Sequence, residues 1–295
     1  MSRSIKISCF VFLLFLMTGC SHSDSDPVTS EKADSTEESN LKNFKTDDGK
    51  IEIVTFNKGN FSEDALKAIK EETLDYYNHL QKKNISIPSP SKIYLHLYKE
   101  EKVSYSSGNT IHLYWVKDGD YPLVHELTHV LFGHNHDHVT QEGLAIFMQD
   151  SYSDEKVFPN YKGDIHGIMN YLMMQDVMLP LETLLQKDEI FSYLNPNKDS
   201  HSLRWLAYIE SASFSSFLIH EYGIESFLKI YDKPNLTNEI HTVYGKKLEL
   251  LEDEWKEFVQ EKPVLNEELI HRNDSQLPEI INHLELNKSE LLKPL

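Results

Sequence analysis

The eleven residues PLVHELTHVLF, Pro122 to Phe132, constrain this chain more than any other stretch. Coiled as a helix, they place leucine, valine or phenylalanine on nearly every side, so the helix has to be buried. Yet the same run carries three ionisable side chains, His125, Glu126 and His129. Such groups are costly to bury unless they are paired or hold a metal ion. Any fold open to this chain must bury the helix and still give its polar residues partners.

His125 and His129 are four residues apart, so on a helix both rings project from one face and can share an ion. Glu126 lies between them, about 100° around the axis from His125 and about 60° from His129. It points near the ion without having to bind it. Zinc lowers the pKa of bound water toward ~7, and a neighbouring carboxylate can take the released proton. This is the H-E-x-x-H arrangement of zinc metalloproteases. A catalytic zinc takes three protein ligands and keeps one position open. The next stretch, GHNHDHVTQEGLA, offers His134, His136 and Glu142 for the third place. The metzincin pattern is excluded, because it needs Gly three and His six residues after the second His, where this chain has Phe132 and Asn135. His134, His136 and His138 also form a cluster that reads either as a solvated linker or as a second metal site.

Around this motif the chain reads as α+β. IEIVTFN (Ile51 to Asn57) and KIYLHLYKE (Lys92 to Glu100) alternate as strands, with Ile93, Leu95 and Leu97 on one face and Tyr94, His96 and Tyr98 on the other. Between them SEDALKAIKEETLDYYNHLQKK has Ser62 as a candidate N-cap and Ala65, Leu66, Ile69, Leu74 and Tyr77 at helical spacing. YSSGNTIHLYW holds a Ser-Gly-Asn turn followed by a strand from Thr110 to Trp115, and Pro122 suits the start of the motif helix. Beyond the motif the pattern is helical, over 140–150, about 165–175, 203–222, 225–231 and 248–261. Expected boundaries are a leader at 1–19, a tether at 20–48, a domain at 49–262 (sheet part 49–120, helical part 121–262) and a helical tail at 263–295.

The first residues are not part of that fold. MSRSIKISCFVFLLFLMTGC has Arg3 and Lys6, then an apolar run, then small residues before Cys20, the features of a secretory signal. Its ending LMTGC resembles a bacterial lipobox, which implies cleavage before Cys20, lipidation of its thiol and an extracytoplasmic, membrane-anchored protein. The Ser-, Asp- and Glu-rich residues that follow, to about Asp48, read as a disordered tether. Cys9 and Cys20 are the only cysteines, so the domain itself has no disulfide and no thiolate ligand. Without residues 1–19 the chain has 27 Lys and Arg against 47 Asp and Glu, a net charge of −20. That balance argues against a nucleic-acid partner, which calls for clustered basic charge.

HELTHVLFG followed by TQEGLAIF resembles the gluzincin pattern of the peptidase MA superfamily, H-E-x-x-H and then E-G-L-A. The resemblance implies a zincin-like metallopeptidase fold and one zinc ion held by His125, His129 and Glu142. Thr140 can cap a helix whose first turn carries Glu142, and Gly143 and Ala145 are small enough for that helix to pack closely. The interval from His129 to Glu142 is shorter than in thermolysin-like members. LAYIESASFSSFLIHEYGIESFLKIY and YGKKLELLEDEWKEFV are similar to the family's C-terminal helical region, so the likeness covers about Ile51 to Gln260. It also implies hydrolysis of a peptide or protein substrate, with Glu126 as general base. The strand at Thr110 to Trp115 would pair with extended substrate. Tyr208 is the first candidate for stabilising the oxyanion, with His220 and His201 as alternatives. Two other readings use the same residues, a non-catalytic peptide-binding surface module and a metal-binding lipoprotein built on the histidine cluster.

Overall fold

A computed structural model describes residues 43–116, 119, 121–154, 157–186, 188–191, 198–265 and 276–292. The expected leader, Cys20 and the tether as far as residue 42 lie outside the described residues. Five strands form one mixed sheet: β1 (Phe44–Lys45), β2 (Glu52–Asn57), β3 (Lys92–Leu97), β4 (Tyr105–Ser107) and β5 (Thr110–Leu113). Their order is β1-β2-β3-β5-β4; β2, β3 and β5 run parallel, while β1 and β4 pair antiparallel at the two edges. Helix α1 (Glu63–Lys82) makes the crossover from β2 to β3, starting at the expected cap, where Ser62 Oγ accepts from Ala65 N at 3.3 Å.

Strand alternation settles which face is core. Ile53, Ile93, Leu95, Leu97, Ile111 and Leu113 are buried in register across β2, β3 and β5. The opposite face carries Phe56, His96, His112 and Tyr105, stacked ring on ring at centroid distances of 4.3–4.9 Å. Under the core face, α1 buries Leu66, Ile69, Tyr76 and Leu80.

Past the sheet the chain is helical, as expected: α2 (Leu123–Phe132), α3 (His138–Tyr152), α4 (Ile165–Met174), α5 (Leu181–Gln186), a 3₁₀ turn (Asp188–Phe191), α6 (Lys198–Tyr222), α7 (Ile224–Ile230), α8 (Leu236–Tyr244), α9 (Leu248–Gln260) and α10 (Leu277–Leu291). With 25 residues, α6 is about 37 Å long and forms the spine against which α3, α4, α7 and α10 pack. Where α3 meets α6 the approach is close enough to need glycine. A Cβ on Gly143 would fall 2.0 Å from Ser215 Oγ and 2.7 Å from the Ser211 carbonyl oxygen.

Four features differ from the sequence expectation. Phe44 is buried and pairs with Ile53, so the sheet starts inside the stretch read as tether. Helix α3 begins at His138 rather than Thr140, and its N-cap is Asp137, whose Oδ1 accepts from Thr140 N at 3.0 Å. Thr140 is therefore inside the helix, with its hydroxyl bonded to Asp137, and Glu142 lies beyond the first turn. The strand at Thr110–Leu113 is interior, bonded to β3 on one side and β4 on the other, and it stops before Trp115, whose φ is +63°. Last, the described part of the tail is structural: Leu277, Ile280, Ile281 and Leu284 of α10 are buried, and Tyr171 of α4 bonds Glu285 at 2.6 Å.

Candidate metal centre

All ten residues of α2 are buried, as its sequence requires. On this helix Thr128 Oγ1 donates to the Val124 carbonyl at 2.7 Å, so the Tyr76 hydroxyl of α1 is the donor in its 2.7 Å contact with Thr128 Oγ1. That bond ties the motif helix to α1. At its C-terminal end Gly133 takes φ +87°, a backbone conformation that favours glycine, and turns the chain toward α3.

His125 Nε2 and His129 Nε2 lie 3.1 Å apart. Glu142 Oε2, delivered by α3, is 3.2 Å from the first and 3.6 Å from the second. Around a tetrahedral zinc with bonds of ~2.0–2.1 Å, ligand atoms stand about 3.3–3.4 Å apart. The three observed separations bracket that spacing, so two imidazoles and a carboxylate fit a single small divalent cation. Among the described residues this is the one group of three His, Cys, Asp or Glu side chains close enough to hold a metal ion.

The local field agrees with the geometry. Burial alone would raise the Glu142 carboxyl, but His129 and His125 beside it hold it well below the usual carboxylate range. Burial likewise pushes His129 toward the neutral form, and the Glu142 carboxylate outweighs it, so the imidazole sits above its ordinary value. Glu126 behaves differently. Burial raises its carboxyl, the two histidines offset this in part, and the Ser106 hydroxyl bonds it. Ser106 belongs to β4, which places that edge strand of the described sheet beside Glu126.

The other candidates fall in different places. His134 is half-buried and spends Nδ1 on the His129 carbonyl oxygen at 3.2 Å; its ring meets that of His129 edge-on. His136 and His138 are exposed, and His138 packs against Phe191. None of the three joins the ligand group. Tyr208 is buried on α6 with its ring against Phe158 and Phe191. His201 lies next to Arg204 near the start of α6, while His220 is exposed near its end and pairs with Glu221 at 2.8 Å. The tyrosine whose ionisation feels Glu142 is instead Tyr231, just after α7, held well above its ordinary value by burial and by the acidic groups around it.

Sequence reasoning did not single out Ser106, Tyr76, Tyr231 or Asp232, which surround the centre. Only Asp137 had a readable signal, the D-x-x-T spacing of a capping residue before a helix. Comparison with known proteins adds no identity: no family model, no curated protein and no solved structure matches the chain.

Proposed function

We propose that this protein is a zinc-dependent peptidase of gluzincin type with a zincin-like fold. The observation that carries the reading is the convergence of His125 Nε2, His129 Nε2 and Glu142 Oε2 within 3.6 Å of one another, with buried Glu126 next to them. His125, His129 and Glu142 would hold a zinc ion, which when bound would supply Lewis acidity toward a carbonyl and a bound water. Glu126 takes a proton from the attacking water and hands it to the leaving amine nitrogen. Its buried setting raises its proton affinity, which suits a group that must both accept and release a proton.

The sheet supports a place for an extended peptide. Strand β4 has β5 on one side and no strand on the other among the described residues, the position at which an extended peptide could add as a further strand. This assigns to β4 the pairing expected of the interior strand β5. The signal-like residues 1–19 and Cys20 support an anchored, extracytoplasmic enzyme. No helix among the described residues is long and apolar enough to cross a membrane. Metabolic labelling with a fatty acid should mark the wild type and not Cys20→Ser; label on both contradicts the anchor.

The catalytic test is turnover of an unstructured protein by the wild type and by Glu126→Gln at equal zinc content. The variant should lose at least ~100-fold in rate. Equal turnover by both overturns Glu126 as the base, and none by either points to a peptide-binding module.

A further inference from the structure

The link between the second histidine and Glu142 is short, residues 133–137 between α2 and α3. This link carries two histidines, His134 and His136, and its conformation decides which side chain becomes the third ligand. The histidine rings bring no anchor of their own, since Nδ1 of His125 and of His129 has no hydrogen-bond partner among the described residues. In metal sites that atom ordinarily bonds a carboxylate or carbonyl that fixes the ring. A further contact holds the linker and the start of α3.

That contact comes from the turn after α7. Asp232 Oδ1 accepts from His136 N at 2.7 Å and from Gln141 Nε2 at 2.5 Å. Asn135 N lies 3.0 Å from both carboxylate oxygens, and Asp137 N is 3.4 Å from Oδ1. Three successive backbone N–H groups thus converge on one carboxylate, an arrangement that favours a negative charge. In the opposite direction Asp232 N donates to Thr140 Oγ1 at 2.9 Å. One residue earlier, the Tyr231 hydroxyl donates to the Gly133 carbonyl at 2.7 Å. The grip runs from Gly133 to Gln141, ending next to Glu142, and Asp232 takes φ +55° to make it.

We propose that Asp232 is a positioning residue for the metal centre, its carboxylate fixing residues 135–141 so that Glu142, and not a linker histidine, completes the ligand set. The proposal rests on the zinc reading above. It also accounts for how so short an interval works: the linker is held from outside by a residue more than ninety positions downstream.

The test uses the full chain and two readouts other than activity. Zinc affinity is measured by competition with a chromophoric chelator, and the ligand set is read from the visible spectrum of the cobalt-substituted protein. Asp232→Ala should weaken zinc binding ~10–100-fold, the range for losing an outer contact that orients a ligand. Its cobalt spectrum should move toward that of Glu142→Ala. Asp232→Asn, which keeps an accepting oxygen, should fall between Ala and wild type. A merely structural Asp232 would lower thermal stability and leave the cobalt spectrum in place, and that result overturns the proposal, as does wild-type zinc affinity in Asp232→Ala. If Asp232→Ala does not fold, Asp232→Asn and Tyr231→Phe report the same two quantities. The zinc reading itself fails differently, with wild type and Glu142→Ala binding zinc equally.

Discussion

Glu142 is the residue on which the site turns, because the two histidines come as a pair and the third ligand has to be brought to them. Its carboxylate reaches both Nε2 atoms, whereas His134, the nearest competitor, is turned toward the His129 carbonyl. Glu142→Ala should therefore weaken zinc binding by more than ~100-fold, while His134→Ala and His136→Ala leave it at the wild-type level in a chelator competition. A strong loss in His134→Ala would move the third ligand into the linker. His125, Glu126 and His129 were legible in the sequence because helical spacing alone sets their relation. Ser106 and Tyr231 were not, because each reaches the site through a pairing or packing contact that local spacing does not encode.

At the scale of elements, the contact that matters most is α3 on α6. Gly143 lies one residue past Glu142, where a Cβ would strike Ser215 and the Ser211 backbone. Gly143→Ala should destabilise the fold by about 1–3 kcal/mol in urea unfolding, the usual cost of overpacking a close contact. It should also loosen zinc, since the helix that must shift carries the ligand. A variant as stable as the wild type would mean that α6 yields easily here. The long elements could be read from the sequence: α1 by its cap and apolar spacing, β2 and β3 by alternation, α4, α6, α7 and α9 by helical pattern. The short ones could not. Strands β1 and β4, of two and three residues, exist because β2 and β5 offer pairing edges, and the six residues of α5 are too few to show a period. Pairing also decided which strand is the edge: the hairpin through Gly108 folds β4 outside β5 and so moves the edge of the described sheet onto Ser106's strand.

For the whole molecule, buried acids set the pH response of stability. Glu72 on α1 is bonded by Ser153 and Tyr121, and burial pushes its carboxyl up to about 7, against 4.5 for a free glutamate. Between those values the folded chain keeps a proton that the unfolded chain has released, so stability falls as pH rises through this window. Burial pushes Asp150 up to about 6, with the same sign. Glu72→Gln should match the wild type below about pH 4.5 and become the more stable protein by pH 8 in parallel denaturant titrations. Curves that stay parallel across that range would show that Glu72 ionises freely. These carboxyls stand apart from the ligand group, and the centre's own claim is most directly tested by zinc K-edge X-ray absorption on the purified protein. The account predicts one zinc per chain, with two imidazole nitrogens and a carboxylate oxygen at ~2.0–2.2 Å and one further light atom. A shell of three or more imidazoles, or several ions per chain, would contradict it.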